Sequence, residues 1–324
     1  MPRCLITGIN GFVGSHLAEF LLKNTDWEIY GLIRWNEPLD NLVNVKNKVF
    51  LIEGDLTDES SIYKAIDKSR PHYIYHLAAQ SYVQASFNYP SATINTNTLG
   101  TLILLNAVRD CVPEALFHNC SSSEVYGDVP KDYGPIKEDC PLSPASPYSI
   151  SKVGQDFLGK HYEEAYGMNV VTTRMFTHTG PRRGDVFFES SFAKQIAMIE
   201  HNLMEPPIKV GNLDSIRTIA DVRDAVRAYY MLLTFNPIAG ETYNIGGDYT
   251  CKVGDVLEYL NKDKIPYEID KDRLRPVDAS YQIPDYSKFR LHTGWEPEIP
   301  FEKTMDDLLE YWRDRVKNSV VINR

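Results

Sequence analysis

The chain has 324 residues, of which 43% are hydrophobic and 24% are charged, a composition typical of globular proteins. Its net charge of −10, from 34 basic and 44 acidic side chains, argues against a surface for nucleic acid or membranes. Five scattered cysteines without a CxxC pair suggest reduced thiols. Because no leader and no apolar run of roughly 18 residues is recognisable, we expect a cytoplasmic protein.

The first apolar run, residues 4–7, leads into a glycine-rich turn and then into a helical pattern. The turn reads Gly8, Ile9, Asn10, Gly11, Phe12, Val13, Gly14. Glycines at these positions let the backbone approach a pyrophosphate, whose charge then faces the N–H groups at the helix start. The sequence therefore predicts a dinucleotide site that uses every residue of this turn except Ile9.

Short apolar runs alternate with helical patterns over the first 180 residues. Strands are predicted at 28–33, 49–52, 73–77, 116–119 and 169–176, and helices at 12–23, 60–69, 92–109 and 148–166. This alternation predicts an α/β protein with a Rossmann-type, doubly wound parallel sheet, which binds ligands at the carboxyl ends of its strands.

After residue 180 the pattern loosens. It predicts helices at 190–201, 221–233 and 301–318 and a strand with a turn at 217–219. We expect residues 1–180 to form the nucleotide-binding domain. Residues 181–324 should form mainly a smaller α/β lobe that closes over the nucleotide, with later segments returning to the first domain.

Arg34, which follows the second strand, and Asp55, which follows the third, bear on which nicotinamide cofactor is bound. Arg34 lies twenty positions past Gly14, where NAD sites usually have an acidic residue and where an arginine favours the 2′-phosphate of NADP. No carboxylate adjoins Arg34 in the sequence, so NADP is favoured over NAD; the alternative is an ordinary surface arginine. Asp55, followed by Leu56, would either accept a hydrogen bond from adenine or cap a turn.

A serine-rich segment, residues 120–127, follows the fifth strand. Hydroxyl groups at this edge of the sheet would face a nicotinamide ring. Ser122 would then bond a substrate hydroxyl, and Glu124 would reach the next carbon. The alternative is a polar turn with a solvated glutamate.

Tyr148 and Lys152 lie four residues apart, and only this Tyr-x-x-x-Lys pair begins a long predicted helix. The same spacing recurs at Tyr133 and Tyr267, where no clear helical pattern follows. An ammonium group beside a phenol favours the phenolate, so we expect Lys152 to lower the pKa of Tyr148 and to make it a proton shuttle.

Together the TGxxGFxG, SSSEVYG and YxxxK motifs resemble the extended short-chain dehydrogenase/reductase family that acts on nucleotide sugars. The resemblance covers nearly the whole chain, including 285–288 and 293–297. Residues 122–124 and 181–184 are most similar to GDP-mannose 4,6-dehydratases, whereas 191–197 and 210–224 are more similar to GDP-4-keto-6-deoxymannose reductases. Thr177 replaces the asparagine of both groups, and Ser191 replaces the lysine of the dehydratases.

The resemblance implies further site residues. It adds Leu77, Ala78, Ala79 and His178 to the cofactor set. It assigns a nucleotide-diphosphate sugar to Gln80, Ser81, Arg183, Arg217 and Arg275. No metal is predicted. A homodimer through paired helices is implied, or a homotetramer that also uses Arg182 and Arg183.

The resemblance also implies a reaction. We expect a 4,6-dehydratase of a GDP-mannose-type sugar that forms a 4-keto-6-deoxy sugar by internal hydride transfer to and from NADP. Tyr148 would accept the O4 proton, Ser122 would position O4 and Glu124 would serve C5 and C6. The alternatives are an NADPH-dependent reductase, an epimerase or decarboxylase of the same family, and an NADP-binding regulator without turnover, although such a regulator would need none of these side chains.

Overall fold

The computed structural model describes residues 1–322, with side chains through residue 318. The strands are β1 (Arg3–Thr7), β2 (Glu28–Ile33), β3 (Phe50–Glu53), β4 (Tyr73–His76), β5 (Leu116–Ser122), β6 (Val170–Met175), β7 (His178–Thr179), β8 (Ile208–Val210), β9 (Ile216–Asp221), β10 (Thr242–Ile245), β11 (Tyr249–Lys252), β12 (Tyr267–Ile269) and β13 (Tyr281–Gln282). No helix in this part of the chain has the length and apolar composition needed to cross a membrane.

The α-helices surround these strands. They are α1 (Phe12–Asn24), α2 (Glu59–Ser69), α3 (Val83–Asn88), α4 (Pro90–Ile94), α5 (Gly100–Cys111), α6 (Pro147–Tyr166), α7 (Phe188–Glu200), α8 (Val222–Thr234), α9 (Val253–Leu260), α10 (Ser287–Thr293) and α11 (Phe301–Ile322). Short 3₁₀ turns occur at Asp40–Leu42, Ser123–Tyr126, Lys131–Tyr133 and Lys271–Arg273.

Seven parallel strands form the central sheet in the order β10-β6-β5-β4-β1-β2-β3. The predicted doubly wound α/β fold is therefore confirmed. Its two faces follow from the alternation of side chains along a strand: Cys4 and Ile6 of β1 pack with α1 and α8, whereas Leu5 packs with α2, α5 and α6. Because both faces are covered, the inner strands are buried almost throughout, including polar residues such as His118 and Asn119 of β5.

The C-terminal half contributes to two cores. α7, α9 and α11 share an apolar cluster with β8 and β9. By contrast, β10 pairs with β6 in the central sheet, and Phe289 and Trp295 pack in the same core as α1 and α8. The division near residue 180 stays a prediction.

The helix predicted at 92–109 is interrupted. A π-helical turn, Asn95–Leu99, separates α4 from α5. The side chain of Asn97 accepts a hydrogen bond from the Gln80 amide at 2.8 Å and donates one to the Gln80 carbonyl at 3.0 Å, while Thr101 donates to the Asn97 carbonyl. Polar side chains that bond backbone groups compete with the regular helical pattern, and here they fix the loop after β4 at the edge of the sheet.

Candidate active site

The glycine turn after β1 forms a cradle in which a side chain at Gly8 or Gly14 would clash with the backbone. Gly8 has φ +70°, and a Cβ on Gly8 would lie 3.0 Å from the Ala78 Cα atom. A Cβ on Gly14 would lie 2.2 Å from the Gly8 carbonyl oxygen. Helix α1 begins directly after Gly11, which offers no capping side chain, so the first amides of the helix remain for a bound anion. This geometry fits the pyrophosphate of a nicotinamide dinucleotide.

A single cavity of about 1170 Å³ connects this cradle to the carboxyl ends of β2, β3, β4 and β5. Every residue that the sequence assigned to catalysis, cofactor or substrate lines it, as do residues from α7 and from the segment around residues 273–278. The structure thus brings the whole predicted set together, although the role of each residue stays a prediction.

The Tyr148–Lys152 pair begins helix α6, whose first turn is capped reciprocally by Ser146 and Ser149. Lys152 donates hydrogen bonds to the Cys120 carbonyl and to the Gln155 side chain, each at 2.8 Å. Burial raises the pKa of Tyr148, although a hydrogen bond with Ser122 acts in the opposite direction. In the protein without ligand the net pKa of Tyr148 is therefore raised, because desolvation of the phenol outweighs the groups that would lower it; the effect of Lys152 on Tyr148 stays a prediction.

Ser122 and Glu124 lie where β5 passes into a 3₁₀ turn. The Ser122 hydroxyl accepts a hydrogen bond from the Glu124 amide at 3.2 Å and so holds the turn. The Glu124 carboxylate lies 3.6 Å from the Arg275 guanidinium. Arg275 in turn pairs with Asp278 at 3.4 Å, and Asp278 also pairs with Arg217 at 3.4 Å. The predicted base and two predicted substrate arginines therefore form one charged cluster.

The two arginines of the segment after β7 point to different places. Arg182 donates to Glu19 at 2.6 Å and also bonds Ser15, so it fastens this segment to α1 of its own chain. Arg183 is half-buried at the wall of the cavity, where its guanidinium lies 3.5 Å from the centre of the Phe187 ring. Burial lowers the pKa of Arg183. A desolvated guanidinium that faces a cavity is well suited to bind an anionic group.

His178 lies beside the cradle, where its ring stacks on Phe12 with 5.8 Å between the ring centres. Burial and the nearby Arg183 charge lower the pKa of His178 to about 3. The imidazole is therefore neutral at physiological pH, and its part in binding a cofactor stays a prediction.

Arg34 has a partner that the sequence pattern did not indicate. Its guanidinium pairs with the Glu37 carboxylate through both Nε and Nη2, so a carboxylate three positions further along the sequence adjoins Arg34 in the structure. Asn36, with φ +60°, reverses the chain and brings Glu37 back. Asp55 caps its own turn, because its Oδ1 atom accepts hydrogen bonds from the Thr57 amide and hydroxyl.

Glu189 is a site residue that sequence reasoning missed. It lies in the first turn of α7 and is only 1% exposed, and neither carboxyl oxygen has a hydrogen-bond partner among the described residues. Burial raises the pKa of Glu189, while the charges of Arg183, Arg217 and Arg275 act in the opposite direction. The predicted helix began at residue 190, so Glu189 read as a polar residue before a helix; nothing in its spacing indicated burial.

Comparisons with known proteins agree with this geometry. A family model described as GDP-mannose 4,6 dehydratase matches residues 5–308. The chain is 33% identical to a GDP-mannose 4,6 dehydratase of Drosophila melanogaster, over 94% of this chain and 85% of the relative. It is also 33% identical to a GDP-6-deoxy-D-mannose reductase of Pseudomonas aeruginosa, over 97% and 98%. The solved structure of RMD from Pseudomonas aeruginosa complexed with NADPH superposes with a TM-score of 0.82 at 29% identity, over 97% and 99%.

Proposed function

The chain belongs to the GDP-mannose 4,6-dehydratase family, and from this premise we propose that it is a 4,6-dehydratase of a GDP-mannose-type nucleotide sugar. One observation carries the proposal: Ser122, Glu124 and Tyr148 line the same cavity as the glycine cradle. A ketone reduction needs one proton-transfer group. The removal of water from C5 and C6 needs a second one, a role that we assign to Glu124.

The cofactor half of the site suits NADP. The cradle from Gly8 to Gly14 would hold the pyrophosphate, Arg34 the 2′-phosphate, and Lys152 with Tyr148 the nicotinamide side. When it is bound, the nicotinamide ring supplies the site with a hydride acceptor and a hydride donor. The chain itself supplies the proton transfers.

Tyr148 and Ser122 act on the sugar O4 atom. The Tyr148 phenol is buried beside the Ser122 hydroxyl, so the two can hold O4 between them. Tyr148 takes the O4 proton as C4 becomes a ketone. Because Tyr148 can accept a proton only as the phenolate, and burial raises its pKa in the protein without ligand, the phenol must first lose its own proton to solvent. Proton transfers of this kind contribute about 10²- to 10⁴-fold each.

Glu124 acts on C5 and C6. Once C4 is a ketone, the C5 proton is acidic, and the Glu124 carboxylate removes it. The same group, now protonated, donates a proton to the C6 hydroxyl, which leaves as water and gives a 5,6-alkene. The hydride taken from C4 would return to C6, and C5 would take a solvent proton through the Glu124 carboxylate. Arg275, 3.6 Å away, fixes the direction of the carboxylate. Arg183 and Arg217 would take the diphosphate through paired, charge-assisted hydrogen bonds.

A second candidate function is an NADPH-dependent reductase of a GDP-4-keto-6-deoxy sugar. The observation in its favour is the share of each relative's own chain that this chain matches. The reductase of Pseudomonas aeruginosa is matched over 98% of its own chain, whereas the Drosophila melanogaster dehydratase is matched over 85% of its chain, at the same 33% identity.

The protein would act as a homodimer. A groove of about 500 Å³ between α5 and α6 is lined almost entirely by apolar side chains, among them Leu99, Leu102 and Phe157. Phe157 is 57% exposed and Ile150, on the same helix, is 51% exposed. Exposed apolar side chains clustered on two adjacent helices favour a protein interface.

One assay separates the candidates. The purified protein is incubated with GDP-mannose and a catalytic amount of NADP, and the product is examined by mass spectrometry. Loss of one water without net formation of NADPH supports the dehydratase. No reaction with GDP-mannose, together with stoichiometric oxidation of NADPH by the 4-keto sugar, would establish the reductase instead.

The Tyr148→Phe variant separates an enzyme from a regulator. The variant should lose turnover and retain cofactor binding. A regulatory effect that is unchanged in the variant would indicate a regulator.

A further inference from the structure

The Arg34–Glu37 pair lies inside the cofactor half of the cavity, at the carboxyl end of β2. Both side chains line the cavity, and Arg34 is 66% exposed while Glu37 is 26% exposed. The Glu37 Oε1 atom accepts from Arg34 Nε at 2.7 Å and also from Nη2. One edge of the guanidinium, formed by Nε and Nη2, is therefore already occupied by a carboxylate.

Glu37 is held from a second side by the glycine turn. Its Oε2 atom accepts a hydrogen bond from the Asn10 side chain at 3.0 Å, and Asn10 also donates to the Pro38 carbonyl at 3.2 Å. These bonds and the Arg34 charge lower the pKa of Glu37 even though partial burial opposes them. The carboxylate is thus built into the site, between the dinucleotide turn and the end of β2.

The local charge balance is unfavourable to a dianion. Hydrogen bonds from Thr57 and, to a smaller extent, the Arg34 charge lower the pKa of Asp55, and Asp55 lines the same cavity as Arg34 and Glu37. A 2′-phosphate carries close to two negative charges near neutral pH and has no proton to donate. A 2′-hydroxyl, in contrast, can donate to a carboxylate, which has about four lone-pair positions and here uses three for Arg34 and Asn10.

We propose that Glu37 is a specificity-determining residue, which competes with the 2′-phosphate of NADP for Arg34 and accepts a hydrogen bond from the 2′-hydroxyl of NAD, so that the site takes both cofactors. The inference rests on the proposed dinucleotide site and concerns the choice of that site between NADP and NAD. Arg34 favours NADP, and Glu37 weakens that preference.

The test measures dissociation constants for NADP⁺ and NAD⁺ separately by calorimetry, without any sugar. In Glu37→Gln the NADP⁺ constant should fall about tenfold, the change that about 1.4 kcal/mol produces, while the NAD⁺ constant should rise. Arg34→Met should raise the NADP⁺ constant more than the NAD⁺ constant, because it removes the cation that would contact the 2′-phosphate. The matched control is Glu53→Gln, which removes one negative charge at the exposed end of the adjacent strand, outside the cavity.

A purely structural role for Glu37 would move both constants in the same direction or neither, and either result overturns the inference. If Glu37→Gln does not fold, as judged by its unfolding curve, Glu37→Ala, which also removes the carboxylate, takes its place: a lower NADP⁺ constant with a higher NAD⁺ constant supports the inference, and a change shared by both cofactors overturns it. Wild-type protein that binds neither cofactor would overturn the proposed function as well, so the two failures are distinguishable.

Discussion

The Arg275 guanidinium lies 3.6 Å from the Glu124 carboxylate before any substrate is bound. Arg275 comes from a distant part of the chain, near the short turn Lys271–Arg273, whereas Glu124 follows β5. The cation therefore restrains the orientation of the proposed base, and a diphosphate that approaches the same arginine would enter a prearranged charge cluster.

Replacement of Glu124 by glutamine should separate the two halves of the reaction. The amide keeps the size of the side chain but cannot accept the C5 proton, so we expect kcat for dehydration to fall by about 10²- to 10⁴-fold. Incorporation of solvent deuterium at C5, followed by mass spectrometry, should disappear in parallel. The exposed Glu258→Gln variant is the control. Dehydration at the wild-type rate in Glu124→Gln would exclude Glu124 as the base.

Replacement of Glu189 should change how the binding of GDP depends on pH. Burial raises the pKa of this carboxyl, so the proton is kept to higher pH than usual and lost as the pH rises further. The resulting carboxylate would repel the diphosphate, and the affinity of the wild-type protein for GDP should fall with rising pH. Glu189→Gln keeps a hydrogen-bond donor and cannot titrate, so its affinity should be flatter between pH 5 and pH 8 in calorimetry. Identical pH profiles would contradict this role.

Gly14→Ala should disrupt the cofactor cradle. The new Cβ would lie 2.2 Å from the Gly8 carbonyl oxygen, so the turn must shift, at a cost of about 1–3 kcal/mol. We expect cofactor affinity, measured by titration, to drop by about tenfold or more. Gly254→Ala is the matched control, because its Cβ approaches no described atom closer than 3.4 Å. Equal cofactor affinities in the two variants would mean that the cradle does not hold the pyrophosphate.

His118 should contribute to acid sensitivity. Burial lowers its pKa to about 3, below the ordinary value of about 6.5. Between these two values the unfolded chain binds a proton that the folded chain does not, so stability is present above pH 6.5 and is lost as the pH falls toward 3. In His118→Gln the pH slope of the free energy of unfolding, from urea titrations, should be smaller by about 1.4 kcal/mol per pH unit. The exposed His72→Gln variant is the control, and an unchanged slope in His118→Gln would refute the prediction.

Phe157→Glu should disrupt the proposed dimer. Phe157 lines the apolar groove between α5 and α6 and is 57% exposed, so a carboxylate there would be buried on association without a partner. Light scattering should show wild-type dimers and monomers of the variant. Phe235→Glu, at a similarly exposed phenylalanine after α8, is the control. A wild-type monomer would rule out this interface.

Much of the fold was readable from local patterns. The glycine turn is bracketed by β1 and α1, as predicted, and α6 begins one residue before Tyr148. These features depend on side-chain alternation, helical periodicity and capping, which neighbouring residues determine. The interruption at Asn95–Leu99 was not predicted, because it depends on hydrogen bonds between Asn97 and Gln80, 17 positions apart.

The site shows the same division. Glu124, Tyr148 and Lys152 were found because they occupy recognisable positions at strand and helix ends. Glu37 and Glu189 were not, since no motif distinguishes a carboxylate that folds back on Arg34 from a solvated one, or a buried glutamate from a helix-capping one. The environment of each carboxylate depends on burial and on contacts with residues that are not adjacent to it in the sequence.

By itself the sequence determined the parallel α/β sheet, the dinucleotide turn and the identities of the groups at its edge, because those features are encoded over short stretches of chain. Only the tertiary structure decided the protonation and ion pairing of these groups. Burial raises the pKa of Tyr148, Arg275 lies beside Glu124, and Glu37 forms an ion pair with Arg34. The physical reason is that protonation and ion pairing depend on desolvation and on distances of a few ångströms, and both are set by residues far apart in the chain.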